Sequence, residues 1–240
     1  DQYISDLFKF NPEMSTFYQI EEPDNINLTD ISPAGMASME QAENTLYEKL
    51  ETIEYEKLDR NQQITYQLLK NQISGSINQR ICKKHLWSIN HLDAFYTWYQ
   101  YIGQTQPVEN EKDRANALAR WNKIPEYIRH DMDNNKKGLD TGYALPRVVV
   151  ERVIGQMEQL LAKPIEQSVF YLPAKRASDV DFQDRMKKHI ESQIMPEIEK
   201  YLSFMKDVYL EKARPELSIT ALPNGVACYA SMLSASTTLS

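Results

Sequence analysis

Apolar residues recur every three or four positions along most of the chain, the spacing of one face of an α-helix. The first such stretch opens at Ser32-Pro33, where serine suits the N-cap and proline the first helical position. Asp59 is placed to cap a second stretch, and the short connection predicts an antiparallel pair. Later periodic stretches begin at Pro146 and near Asp179. We therefore predict an all-α fold, a bundle-like array of several helices with antiparallel neighbours.

Three prolines predict where helices bend or end. Pro125 and Pro196 lie inside periodic stretches, and proline removes a helical hydrogen bond and crowds the preceding turn. We expect a kink or tight break at Pro125 and a bend or split at Pro196. The helix that begins at Pro146 should end before Pro164, because the residue preceding a proline avoids helical geometry.

The helical period fails after residue 214. A turn at residues 223–225 separates two short segments, 217–220 and 226–230, whose composition favours extended structure. The sequence thus predicts a helical domain over residues 1–214 and a short extended or β segment over residues 215–240.

Charge and composition exclude several classes of function. The 240 residues contain 27 Lys and Arg against 34 Asp and Glu, a net charge of −7, so no basic field attracts nucleic acid. The longest apolar runs, such as residues 148–150, fall far short of the roughly 20 residues of a transmembrane helix. Seven glycines against 14 tyrosines also favour helices with aromatic seams over a strand-rich fold.

The two cysteines and the first residue bear on the cellular compartment. Cys82 and Cys228 are too few for a disulfide framework and lack CxxC spacing, so we expect two unpaired thiols. The chain begins at Asp1, so either a signal or lipoprotein leader was removed or a boundary was chosen. A periplasmic or lipid-anchored location is one of the possibilities that remain open.

Known catalytic motifs are missing from the sequence. The four histidines include no HExxH pair, and no GxSxG or phosphate-binding glycine loop occurs. The many carboxylates fit a solvated surface. We predict no catalytic residue, no metal ligand and no cofactor in this chain.

Two places in the sequence predict substrate contact. Arg147, at a helix start, can point its guanidinium into a cleft and bind a carboxylate in bidentate fashion, or pair with a surface acid. Tyr229, together with Thr237 and Thr238, can line a strand edge that pairs with an extended peptide, or belong to a purely structural turn.

The residues from Gly138 to Leu161 predict a glycine-containing turn that leads into a helix, and they also resemble a known family. They are similar to the "Gly-x-Thr-Ala-Pro-Arg" segment of the bacterial family catalogued as domain of unknown function number 885. Leu145 stands where that family usually has Ala before Pro-Arg.

Three other segments resemble the same family in the same order. Residues 222–225, followed by Tyr229 and the Thr237-Thr238 pair, resemble its "Leu-Pro-x-Gly, Tyr, Thr-Thr" segment. Residues 28–35 resemble the start of its first long helix, and residues 10–13 resemble its "His-Pro-Glu" turn, with Asn11 in place of His.

The resemblance implies a function for a larger protein. Members of the family look like α-helical zinc-peptidase-type proteins, with a motif similar to His-Glu-x-x-Pro-Gly-His downstream of the Thr-Thr pair. It implies that this chain is a non-catalytic helical N-terminal domain forming one wall of the substrate cleft of a zinc-dependent hydrolase. Zinc is expected in the missing C-terminal half, which would be its partner, with a peptide as substrate.

An alternative function and a structural consequence follow. The aromatic residues between Trp87 and Tyr101 can instead make the chain a helical protein-binding or scaffold domain, and burial of those rings would count against it.

A domain separated from its other half should also leave an apolar helix face exposed in its C-terminal third. A second copy of the chain could cover that face in a dimer.

Overall fold

The computed structural model describes residues 1–237, and α-helix dominates them, as predicted. Strand pairing in these residues is limited to one bridge between Pro146 and Arg214. The helices, in chain order, are α1 (Gln2–Phe10), α2 (Pro12–Phe17), α3 (Pro33–Glu51), α4 (Arg60–Gln79), α5 (Phe95–Thr105), α6 (Glu111–Trp121), α7 (Ile124–Asp140), α8 (Arg147–Leu161), α9 (Leu172–Arg176), α10 (Val180–His189), α11 (Met195–Phe204), α12 (Leu210–Lys212) and α13 (Gly225–Ser236).

The capping signals start α3 and α4 where the sequence predicts. The Ser32 hydroxyl accepts a hydrogen bond from the Gly35 backbone N–H at 3.1 Å. Asp59 and Gln62 form a reciprocal capping box. Ion pairs join Arg80 to Glu43 and Lys70 to Glu51, which fixes the two helices as antiparallel neighbours. The predicted hairpin is therefore confirmed.

Pro125 lies at a break between two helices, whereas Pro196 lies inside a continuous helix, close to a π-turn. α6 ends at Trp121 and α7 begins at Ile124, a tight break beside Pro125. From α10 to α12 the chain is one long helix containing two π-turns, Ile190–Ile194 and Met205–Tyr209. The first immediately precedes Pro196, where a local π adjustment accommodates the residue that cannot donate a hydrogen bond.

The main core lies between α5, α6, α7, α8 and the long helix. Trp121 is fully buried, and its indole N–H donates to the Phe170 carbonyl at 2.8 Å. A second, smaller core holds the α3–α4 pair together. No helix within residues 1–237 combines the length and apolar character needed to cross a bilayer.

A buried arginine attaches the loop before α3 to this core. The Arg120 guanidinium is fully buried and donates to the Gln106 side-chain oxygen at 2.8 Å, to the Thr16 hydroxyl at 2.9 Å and to the carbonyls of Asn27 and Asp24. Burial lowers the pKa of Arg120. Its donors are satisfied by loop carbonyls and side chains, which explains a buried cation without a direct carboxylate partner.

The C-terminal segment is helical, so the predicted extended or β structure is wrong. Residues 219–221 form a short 3-10 turn whose N-cap is Ser218, and α13 follows from Gly225. Asn224 takes a left-handed conformation (φ 56°), which turns the chain into the helix. The alanines and leucine of α13 are strong helix formers and outweigh the β preference of Val226.

The cysteines are also paired, which corrects the expectation of two free thiols. Cys82 and Cys228 form a disulfide with their Cα atoms 4.8 Å apart, although 146 positions separate them in sequence. The bond joins the turn after α4 to α13. Sequence spacing gives no signal for it, because only the antiparallel packing of α13 on α4 brings the two residues together.

A buried carboxyl links α7 to its neighbours. Asp131 is 6% exposed and accepts hydrogen bonds from the Ser88 hydroxyl at 2.6 Å and the Tyr201 hydroxyl at 2.9 Å. The Asn135 amide nitrogen lies 2.9 Å from the Ser88 hydroxyl and 3.0 Å from that of Tyr201. Burial raises the pKa of Asp131 in spite of these hydrogen bonds.

The raised pKa predicts a specific pH dependence for Asp131→Asn. The folded chain holds the Asp131 proton more tightly than the unfolded chain, so the carboxyl favours folding at low pH. This contribution is lost as the pH rises through the raised pKa. The unfolding free energy of the wild type minus that of Asp131→Asn should therefore fall as the pH rises above about 4. Urea unfolding at a series of pH values measures it, with the exposed Asp133→Asn on the same helix as control. Equal slopes for the two variants would refute the assignment.

Candidate functional site

The two segments that carry most of the resemblance meet in the structure. We call residues 142–147 together with residues 214–225 the junction. Leu222 is buried against Tyr143 and Leu86. The Pro223 ring lies beside Gly142. Segments some 80 positions apart in sequence thus form one surface, located at the start of α8 and the start of α13.

Backbone hydrogen bonds hold the two segments of the junction together. The Arg147 N–H donates to the Arg214 carbonyl at 2.8 Å, and the Arg214 N–H donates to the Leu145 carbonyl at 3.0 Å. The Leu145 N–H donates to the Tyr209 hydroxyl at 3.0 Å. Burial raises the pKa of Tyr209 to about 12, so its hydroxyl stays protonated at neutral pH.

Arg214 is the central side chain of the junction, and no role was predicted for it from the sequence. Its Nε donates to the Ala144 carbonyl at 2.8 Å, and its Nη1 donates to the carbonyls of Ser218, at 2.8 Å, and Glu216. Burial lowers the pKa of Arg214. These bonds from Nε and Nη1 tie residue 144 to residues 216–218 and so fix the shape of the junction. No motif or spacing marks such a role in sequence.

Two glycines of these segments are required by close backbone approaches. A Cβ on Gly138 would lie 1.8 Å from the Leu86 carbonyl oxygen, and one on Gly225 would lie 2.2 Å from the Ile219 carbonyl oxygen. α7 continues two residues past Gly138, so this glycine lies within the last turn of the helix and not in the turn that the sequence predicted. Its role is to let α7 pack directly on the turn Lys84–Trp87.

The structure places the predicted contact residues in different settings. Arg147 is exposed at the start of α8, and its guanidinium hydrogen-bonds to none of the described residues. Tyr229 is 49% exposed on α13, so the strand edge predicted for it is wrong. Thr237 follows α13, and its hydroxyl donates to the Leu233 carbonyl at 2.7 Å. Thr238 lies outside the described residues.

α13 presents an exposed apolar stripe, which we call the α13 face. It consists of Val226, Tyr229 and Leu233, exposed by 72%, 49% and 40%, and spaced along one side of the helix. None of the twelve residues of α13 is charged. Only Gly225 and Cys228 are buried. An exposed helix without charges is typical of a surface that contacts another protein element.

The histidines are dispersed and contact protein groups. His189 Nε2 lies 3.0 Å from the Trp121 carbonyl, and His91 Nε2 lies 3.1 Å from Arg152 Nη1. Burial and nearby lysines lower the pKa of His85. No three His, Cys, Asp or Glu side chains converge within residues 1–237 as zinc would require.

The family follows from comparison with known proteins. Residues 12–240 match the sequence profile of a family described as "Bacterial protein of unknown function (DUF885)". The chain belongs to this family. No curated protein matches the chain.

A solved structure has the same fold as this family member. It is described as the "putative lipoprotein from Colwellia psychrerythraea", with a TM-score of 0.78 and 15% sequence identity. The match covers 98% of this chain and 44% of that one. The chain thus spans less than half the length of the protein it resembles.

The close approach at Gly138 predicts a large cost for Gly138→Ala. The added methyl group must displace the backbone at Leu86, so we expect the unfolding free energy to fall by about 3 kcal/mol. Gly155→Ala is the matched control, because a Cβ there meets nothing within 4 Å. It should raise the unfolding free energy by about 0.5–1 kcal/mol. Urea unfolding measures both, and equal effects would contradict the close approach.

The disulfide predicts that reduction destabilises the chain. Titration of the oxidised, denatured protein should find no free thiol, and reductant should lower the unfolding free energy by about 2–5 kcal/mol. The double variant Cys82→Ala/Cys228→Ala is the control, since reductant should not change its stability. Two titratable thiols in protein purified without reductant would disprove the pairing.

Proposed function

We propose that the chain is the non-catalytic helical part of a larger, zinc-dependent metallopeptidase-like hydrolase, and forms one wall of its substrate cleft. The observation that carries the proposal is the α13 face, an uncharged and exposed surface in a chain that matches only 44% of a similar protein. The remainder of the polypeptide would cover this face. The zinc ligands and the general base would lie in that remainder.

The chemistry of the junction supports a structural role. Arg214 donates from Nε and Nη1 to backbone carbonyls, and the buried Tyr209 hydroxyl accepts the Leu145 N–H. Both side chains thereby support the backbone of the junction. Arg147 differs, because its exposed guanidinium remains available for the carboxylate of a peptide substrate.

The alternative, a binding domain that uses the aromatic segment of residues 87–101, has less support. Phe95, Tyr96 and Tyr99 are buried in the main core, and Trp98 is half-buried. Tyr101 alone among these α5 rings is more than half exposed. Rings that already pack inside the bundle offer little surface to a partner.

The disulfide also supports a location outside the cytoplasm. Disulfides form and persist in oxidising compartments such as the bacterial periplasm. The similar structure carries a lipoprotein description, which fits the same compartment. We propose a periplasmic location, with or without a lipid anchor.

The proposal predicts a clear division of activity. The open reading frame should continue past Ser240 and encode a histidine- and glutamate-containing zinc motif. The longer polypeptide should purify with about one zinc per chain and hydrolyse peptides, whereas residues 1–240 should do neither. Zinc binding by residues 1–240 at micromolar or tighter affinity in a calorimetric titration, or peptide hydrolysis by them, would contradict the proposal.

The role proposed for Arg147 predicts a selective kinetic defect. Arg147→Ala should leave the unfolding free energy within about 0.5 kcal/mol of wild type, as for other surface positions. In the longer polypeptide it should raise KM for a peptide roughly tenfold, the loss of about 1.4 kcal/mol of binding, while the exposed Arg60→Ala should not. An unchanged KM would remove Arg147 from the cleft.

A further inference from the structure

α4 and α13 pack antiparallel in a defined register. The disulfide joins Cys82 to Cys228, and a Cβ on Gly75 would lie 3.2 Å from the Ala235 Cβ. Gly75 lies seven residues before Cys82, and Ala235 lies seven residues after Cys228. Two contacts seven residues apart on both helices define one straight seam, as in an antiparallel coiled coil.

The side of α4 that faces α13 continues beyond the end of the seam. Leu68 and Ile64 precede Gly75 by seven and eleven residues, which places them about 20° to either side of it on the helix. They lie roughly 10 and 16 Å along the axis from Gly75. Leu68 is 66% exposed and Ile64 is 45% exposed. Two neighbouring apolar side chains, both largely exposed, therefore extend the seam past the end of α13.

We propose that Ile64 and Leu68 are a docking surface for an amphipathic helix of the longer polypeptide, packed antiparallel to α4 in line with α13. The inference rests on the proposed function, because it assigns the helix to the remainder of that polypeptide. Its basis is continuity with the existing α4–α13 interface. Side chains at positions i and i+4 form the ridge that a neighbouring helix receives between its own side chains.

The small size of the strip favours an occupant within the same polypeptide over a second copy. A stable interface between separate chains buries about 800 Å² on each partner. One leucine and one isoleucine supply far less. Each copy also carries a net charge of −7, which opposes self-association. A tethered helix does not face these costs, because its effective concentration is high.

Thiol reactivity tests the docking surface separately from the α13 face. Leu68→Cys, Val226→Cys and Val180→Cys are prepared in residues 1–240 and in the longer polypeptide, and maleimide labelling rates are measured. Val180 is 67% exposed on α10 and serves as the control. We expect similar rates at Leu68→Cys and Val180→Cys in residues 1–240. In the longer polypeptide, labelling of Leu68→Cys should slow at least tenfold while Val180→Cys is unchanged.

The outcomes separate this inference from the proposed function. Protection of Val226→Cys without protection of Leu68→Cys would overturn the docking surface and leave the proposed function standing. Protection of neither would count against both. Concentration-dependent protection of Leu68→Cys in residues 1–240 would overturn the inference in favour of a second copy. A second measurement supports the docking surface: Leu68→Asp should lower the unfolding free energy of the longer polypeptide but not that of residues 1–240.

Discussion

The direct contact between Gly138 and the Leu86 carbonyl is the constraint on which the functional surface depends. Because no side chain separates them, α7 lies against the turn before α5, and Leu86 reaches Tyr143 and Leu222. That small cluster positions the chain between residues 214 and 225. The end of that segment sets where α13 begins, and α13 in turn brings Cys228 to Cys82. A greater distance between Gly138 and the Leu86 carbonyl would shift both residues 214–225 and α13.

The same constraint changes how the family-identifying segments are interpreted. Within residues 138–161, Gly138 accommodates a backbone contact and the Ala144 carbonyl accepts a hydrogen bond from Arg214. The segments identify the family because they build a junction between distant parts of the chain. Arg147 is the exception, as an exposed cation at the edge of an otherwise internally bonded structure.

Local signals in the sequence predicted the elements that local physics controls. Ser32 and Asp59 cap helices because their side chains bond the next few N–H groups, and Pro125 marked the break between α6 and α7. Features that depend on contacts between distant residues were not predictable. Arg214 and Arg120 find their acceptors only in the folded chain, and Cys82 meets Cys228 only after α13 packs on α4. The composition of residues 226–230 suits an extended segment, but the turn at Asn224 and the packing against α4 select a helix.

The central claim is that the α13 face is covered by the remainder of a larger protein. Amide hydrogen exchange over residues 225–236 tests this most directly, because a short helix with few buried residues exchanges through local opening. We expect fast exchange in residues 1–240 and at least tenfold slower exchange in the longer polypeptide. Equal exchange in the two would show that nothing covers the α13 face, and would overturn the proposed function.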